Sequence, residues 1–205
     1  MNQQLNKKQA KKLLEIKGEV RGATLIGDKE YVLTHCGKDK LQKVEERLRS
    51  LDIGLDYEKI NDLDFYPAGF RIISLLVIKE VCNLSEDDIK SLCFLQPKFS
   101  LVVKIFARFL LSPRKALEQT SKFWREYFTV GDLILKEFNE KEGYIIFQLK
   151  NFKIHPLYCK CLEGYIKGIV EMIVRNEKVE CRETKCVFKG NPYHEFLVQW
   201  PVKKK

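Results

Sequence analysis

The sequence contains few of the residues on which catalytic sites are most often built, with three histidines and two methionines in 205 residues. It also lacks a GxSxG motif, a P-loop, a dinucleotide-binding fingerprint and an HExxH motif. These absences argue against a serine hydrolase, a nucleotide-dependent enzyme and a zinc protease. We therefore predict that the protein is not an enzyme.

Long hydrophobic runs are absent as well. The longest lie at 73–78 and 101–111, and the second contains Lys104 and Arg108. A membrane-spanning helix needs about 20 apolar residues, so we expect no membrane span. The first residues do not contain the apolar region of a secretory signal, which favours a cytoplasmic location. There, the seven cysteines should be free thiols unless a few bind metal or react.

The net charge of +9 lies mainly at the two ends of the chain. Residues 1–22 hold six basic residues against Glu15 and Glu19, and the chain ends in three lysines. A nucleic-acid-binding face normally carries its basic stripe on the folded body, so we expect no nucleic-acid partner. We predict a basic tail or helix at 1–18, a single ligand-binding-like domain at 19–200 and a basic tail at 201–205.

Hydrophobic periodicity predicts a helix-rich first part and a strand-rich second part. The expected helices cover 40–51, 70–81, 86–94, 100–111, 113–128 and 156–175. The expected strands cover 20–26, 132–138, 144–149, 178–188 and 193–200. This order predicts an α+β fold in which N-terminal helices pack on a four-stranded antiparallel sheet, with one helix inserted between the strand pairs.

Most of the candidate metal ligands lie in the last third of the chain. They are Cys159, Cys161, Cys181, Glu183, Cys186 and His194. Thiolates with one imidazole and one carboxylate suit tetrahedral zinc. In a regular strand Glu183 and Cys186 point to opposite faces, so they converge only if a bulge or turn separates them. The alternative is that Cys159, Cys161 and Cys181 pack as small hydrophobic residues.

An aromatic cluster predicts an apolar pocket. Phe123 and Tyr127 are four residues apart, as are Trp124 and Phe128, so each pair shares a helix face. The rings of Phe138 and Tyr165, among others, could line the opposite side. A small apolar or aromatic molecule would suit such a pocket. The alternative is an aromatic core filled by its own side chains.

The order of the motifs in the second half resembles the 4-vinyl-reductase-like branch of a superfamily. That superfamily also contains the haem nitric-oxide-binding (H-NOX) domains and the TRAPP vesicle-tethering subunits. The similarity is strongest to a bacterial branch of uncharacterised proteins. It rests on Phe123-Trp124-Arg125, Gly131, Pro156, Cys161, Gly164, Gly168, Glu183, Cys186, Gly190 to Phe196 and Trp200.

The resemblance implies a ligand-binding or sensory fold, often dimeric, and a zinc site beside the pocket. In related sensors of aromatic compounds, Cys, Glu, Cys and Cys hold the zinc. Glu183, Cys186 and His194 have the spacing of the last three ligands, with His in place of Cys, and Cys161 best fits the first. Tyr165 is placed similarly to a tyrosine that lines the pocket of those sensors.

Two departures from the H-NOX pattern argue against haem. No histidine lies in the predicted helices between Pro67 and Phe128, and the Tyr-x-Ser-x-Arg motif is absent. The sequence thus predicts a sensory module with an apolar pocket and a zinc site, homodimeric and signalling to an unknown protein. Two alternatives remain open: a dimeric scaffold of the same fold without ligand, and a tetrapyrrole-related enzyme.

Overall fold

The computed structural model describes residues 4–99 and 113–202. The helices are α1 (Lys7–Leu14), α2 (Gly22–Tyr31), α3 (Lys38–Ser50), α4 (Ala68–Val81), α5 (Glu86–Phe99), α6 (Pro113–Glu118), α7 (Thr120–Arg125) and α8 (Leu157–Val174). The strands are β1 (Glu19–Arg21), β2 (Phe65–Pro67), β3 (Asp132–Asn139), β4 (Tyr144–Lys150), β5 (Glu180–Lys185) and β6 (His194–Gln199). The helix predicted at 100–111 lies outside the described residues.

The main sheet confirms the predicted α+β class. Its four strands are all antiparallel and lie in the order β3-β4-β6-β5. Helix α8 connects β4 to β5, so it is the helix inserted between the strand pairs. The inner face of the sheet is apolar, and Ile145, Phe147, Phe196 and Val198 are all almost completely buried there. This face forms one wall of the core.

Helices α5 and α8 pack closely along their length. A Cβ atom at Gly164 would overlap the carbonyl oxygen of Lys90, and one at Gly168 would lie 2.5 Å from the carbonyl oxygen of Phe94. Only glycine lets the two backbones approach this closely. The glycines therefore set the distance between the helix that carries Cys161 and its neighbour.

The strand predicted at 20–26 is wrong beyond Arg21. The structure forms only β1 (Glu19–Arg21), which pairs with β2, and helix α2 then begins at Gly22. The hydroxyl of Thr24 donates to the carbonyl of Arg21 at 2.9 Å. This contact is typical of the first turn of a helix. The sequence did not predict the helix start, because the alternating β-branched residues favour a strand.

Helix α1 packs on α4 near Gly69, where an added Cβ would overlap the carbonyl oxygen of Leu13. It is capped by Asn6, whose side chain accepts from the backbone N–H of Gln9 at 2.9 Å.

None of the helices in the described part of the chain combines the length and the apolar composition that a membrane span needs.

Candidate functional site

Four potential metal ligands converge where the first turn of α8 meets the β5–β6 hairpin. They are Cys159, Glu183, Cys186 and His194, and one ligand atom from each lies within 4.8 Å of the others. The Sγ atoms of Cys159 and Cys186 are 3.6 Å apart, and Nδ1 of His194 lies 4.0 Å from Cys159 Sγ. This donor set, with two sulfurs, one nitrogen and one oxygen, is typical of zinc.

The hairpin brings Glu183 and Cys186 together through the irregularity that the sequence predicts. The pairing of β5 with β6 shifts register between Glu183 and Lys185, and a 3₁₀ turn follows at Val187–Lys189. The backbone N–H of Cys186 donates to Oδ1 of Asn191 at 3.0 Å. Bulge and turn together place both side chains on the same side.

The ring of His194 is oriented by a contact outside this group of four residues. Its Nε2 lies 2.9 Å from the carbonyl oxygen of Phe152, which can only accept, so Nε2 carries the proton. In a neutral ring Nδ1 is then an acceptor, yet it lies 2.6 Å from the carboxylate oxygen Oε1 of Glu183. Two acceptors this close share a proton, because a zinc ion bound to both at about 2.0–2.1 Å would hold them more than about 3 Å apart. The two side chains would therefore separate slightly to bind a metal. A carbonyl that holds the distal N–H is also the usual partner of a metal-bound histidine.

Cys161 does not join this group, and Cys159 takes the position predicted for it. Two residues along a helix correspond to a rotation of about 200°, so the two side chains point to nearly opposite sides. Cys161 instead forms a disulfide with Cys93 of α5. Cys181 also lies outside the group, and burial raises the pKa of its thiol.

The aromatic cleft lies between α6, α7, α8 and the sheet. Of the predicted pocket residues, Phe123, Trp124, Tyr127 and Tyr165 line it. Phe138 does not belong to the described lining, because its ring stacks on Trp200 with centroids 6.4 Å apart. The other lining residues are Ala116, Leu117, Thr120, Phe128, Leu133, Phe147, Ile166, Ile169, Val170, Met172 and Ile173.

The two aromatic pairs lie in contact, as their spacing predicts. Ring centroids of Phe123 and Tyr127 are 5.3 Å apart and tilted, and those of Trp124 and Phe128 are 4.1 Å apart and stacked. The helix predicted at 113–128 is divided into α6 and α7 and ends at Arg125, so Tyr127 and Phe128 follow it.

The cleft is narrow and has little polar surface. The cavity itself has a volume of only about 50 Å³. The surrounding space, including the part open to solvent, measures about 670 Å³. The hydroxyl of Tyr165 is buried and has no hydrogen-bond partner among the described residues. Burial raises the pKa of this phenol well above its usual value, so at neutral pH the hydroxyl remains a donor.

Comparison with solved structures shows that the chain has the H-NOX fold. An H-NOX protein from S. oneidensis in the Fe(II)NO ligation state has a TM-score of 0.65 at 10% identity, covering 87% of this chain and 98% of that one. An oxygen-binding H-NOX domain related to soluble guanylate cyclases has a TM-score of 0.60 at 11% identity, covering 90% and 100%. No protein-family model and no curated protein matches the sequence.

These comparisons contradict the argument against haem. The neighbours include iron-ligated H-NOX proteins, and another is described by its haem redox potential and porphyrin distortion, at a TM-score of 0.61 and 12% identity. The absence of a histidine from the predicted helices, together with the absence of the Tyr-x-Ser-x-Arg motif, was therefore not enough to argue against haem binding. The cleft lining is apolar and includes Tyr165 and Met172, whose phenol and thioether are known types of axial haem ligand. Residue types that ligate haem iron are therefore present in the lining. The placement in the 4-vinyl-reductase-like branch stays a prediction.

Proposed function

We propose that this protein is a small-molecule-binding sensory module whose ligand occupies the aromatic cleft. One observation carries the proposal: Tyr165, whose buried hydroxyl has no hydrogen-bond partner among the described residues, lines an otherwise apolar cavity. An unsatisfied buried hydroxyl costs about 1–3 kcal/mol, so a site that retains one is suited to a ligand that accepts a hydrogen bond. The H-NOX fold supports this proposal, since its solved neighbours bind nitric oxide and oxygen.

The expected ligand is flat, apolar and equipped with one acceptor. Rings from α7 and α8 form the walls, with centroids of Tyr127 and Tyr165 6.2 Å apart. Because the present space is narrow, side chains must move to admit such a ligand. Haem belongs among the ligands to be tested, with Tyr165 as the residue that would reach its iron and the apolar walls covering its faces.

The test compares Tyr165→Phe with the wild type, using 2-naphthol in calorimetry and ferric haem in absorption spectroscopy. Loss of one hydrogen bond of about 0.5–1.5 kcal/mol predicts a roughly two- to tenfold weaker affinity for 2-naphthol. Without ligand the variant should be at least as stable as the wild type, because no bond is lost. Tyr144→Phe, at the start of β4 and outside the described lining of the cleft, is the matched control. Failure of both probes to bind, or equal binding by all three proteins, would contradict the proposal.

We also propose a structural zinc ion held by Cys159, Glu183, Cys186 and His194. Four protein ligands would fill the tetrahedral shell, so the ion would join α8 to the hairpin and leave no position for catalysis. The convergence of the four ligand atoms supports this site, as does the Phe152 carbonyl that orients the His194 ring. Burial, with the nearby Glu183 carboxylate adding to it, raises the pKa of the Cys159 thiol, so zinc binding would release its proton.

Metal analysis of protein purified without added zinc tests this site. We expect about one equivalent in the wild type and in Cys181→Ala, and less than about one-tenth in Cys186→Ala. Cys181→Ala is the matched control, because Cys181 is also buried in β5 but lies outside the group. Wild-type protein with less than about one-tenth equivalent would refute the zinc site.

The narrowness of the cleft favours a second candidate, a dimeric interaction module whose cavity is filled by its own side chains. Native mass spectrometry separates the two, since it reports subunit count, metal and bound small molecule together. A dimer without ligand would favour the interaction module. The homodimer, the signalling partner and the lack of enzymatic activity stay predictions.

A further inference from the structure

A disulfide joins Cys93 of α5 to Cys161 of α8. The two residues are 68 positions apart in the sequence, and their Cα atoms are 5.1 Å apart. This pair is separate from the candidate metal centre, because Cys159 points to nearly the opposite side of α8. Neither cysteine belongs to the described lining of the aromatic cleft.

The contact between α5 and α8 holds the two sulfurs together independently of the bond. Gly164 and Gly168 let α8 lie directly against the carbonyl groups of Lys90 and Phe94. Because the backbones fix the helix spacing, the sulfurs remain neighbours after reduction. The bond can thus break and form again without refolding of the chain.

A buried cation contacts both sulfurs. Nη2 of Arg71 lies 3.6 Å from Sγ of Cys93 and 3.8 Å from Sγ of Cys161. Arg71 is completely buried in α4 and forms an ion pair with Asp28. A guanidinium beside a sulfur stabilises the thiolate, which is the form that reacts with oxidants. Both cysteines are almost completely buried, so a peroxide or a dithiol reaches the sulfurs only when the packing around them opens.

We propose that Cys93 and Cys161 form a redox centre that a peroxide oxidises and a dithiol reduces. The Cys93 thiolate attacks one oxygen of hydrogen peroxide, the O–O bond breaks, and Cys93 sulfenic acid forms while hydroxide leaves and takes up a proton as water. The Cys161 thiol then attacks the Cys93 sulfur, the S–O bond breaks, and the hydroxyl leaves with the thiol proton as a second water. A dithiol then reduces the Cys93–Cys161 disulfide to two thiols. It gives two electrons and two protons and becomes a disulfide itself.

The disulfide between Cys93 and Cys161 would affect other functional residues on α8. Tyr165 lies one turn after Cys161 and lines the cleft, and Cys159 lies two residues before it. Oxidation would therefore fix the helix that carries both sites to α5.

The test uses the full chain, reduced in its folded state with dithiothreitol, freed of reductant and treated with hydrogen peroxide. We expect a mass loss of about 2 Da and a cross-linked peptide that contains Cys93 and Cys161. In Cys161→Ser, dimedone should trap a sulfenic acid on Cys93 roughly ten times faster than on the buried control thiol Cys181. In Cys93→Ser, Cys161 should stay unlabelled over the same time.

Three results would overturn the proposal. The first is a bond that dithiothreitol cannot reduce in the folded protein, which would make it a static cross-link. The second is oxidation that joins Cys159 to Cys186 instead, whose sulfurs are 3.6 Å apart. The third is equal trapping at Cys93 and Cys181. The wild-type peptide map decides the first two even if a variant fails to fold.

Discussion

Removing the charge of Asp28 should be one of the most destabilising isosteric changes in this protein. Asp28 on α2 and Arg71 on α4 form an ion pair in which both side chains are almost completely buried. The Asp28 carboxylate also accepts from Ser74 Oγ at 2.6 Å and from Gln96 Nε2 at 3.0 Å. These contacts join three helices, α2, α4 and α5, around one buried charge.

The magnitude follows from what Asp28→Asn leaves behind. Burial lowers the pKa of Arg71 to about 10, so the guanidinium is still charged at neutral pH. Breaking a buried pair on one side typically costs about 3–5 kcal/mol, because the remaining charge is uncompensated. Since a domain of this kind is stable by about 5–15 kcal/mol, the variant should lose between about a fifth and all of its stability.

Urea unfolding followed by circular dichroism measures this loss. The double variant Asp28→Leu/Arg71→Met replaces both charges with apolar groups and should lose less than Asp28→Asn alone. Asp56→Asn is the control, because Asp56 pairs with Lys59 at the surface, and it should leave the stability nearly unchanged. A cost for Asp28→Asn as small as that of the control would refute the reasoning.

Two further predictions concern α8. Gly164→Ala should cost about 1–3 kcal/mol in urea unfolding, because its Cβ would overlap a backbone carbonyl. The helical control Gly27→Ala should cost less, because its Cβ would come no closer than 3.2 Å to the Gln96 side chain. Burial opposes ionisation of Glu163, but the backbone N–H of Glu183 and the ammonium of Lys90 outweigh it and hold its pKa below the usual value. This lowered pKa contributes stability that is present above the unfolded-state pKa and lost as the pH falls through the folded one. Thermal melts of Glu163→Gln should therefore lose less stability than wild type on acidification, and parallel pH profiles would contradict this.

The sequence contained enough information to predict most of the metal-ligand group, but not its first member. The spacing of Glu183, Cys186 and His194 requires an interrupted strand, and the structure has that interruption. The choice between Cys159 and Cys161 depends on how α8 is rotated about its axis relative to the hairpin. No local pattern encodes that rotation, because the glycine contacts with α5 set it.

The buried ion pair between Asp28 and Arg71 was not predicted from the sequence, for a different reason. Gly27 and Asp28 follow the strand predicted at 20–26, where these residue types are typical of a turn rather than of a core. In the structure Asp28 lies inside α2, completely buried against Arg71. Helical periodicity in α4 did predict a buried helix, and the fully buried arginine within it was the available signal. An arginine on an apolar helix face needs a buried partner, and that requirement could have drawn attention to Asp28.

The three features argued above meet on one helix, and its geometry makes them interdependent. Cys161 and Tyr165 are four residues apart and share a face of α8, whereas Cys159 lies nearly opposite. If α8 shifts, the disulfide and the cleft wall therefore move together. Glu183, Cys186 and His194 of the hairpin would oppose that shift from the opposite side of α8. Because cores rearrange between discrete packings rather than deforming smoothly, we expect ligand entry, metal loss and disulfide reduction to act on the same equilibrium of α8. Binding of 2-naphthol should then differ between oxidised and reduced protein, and equal affinities would show that the cleft wall moves independently of the bond.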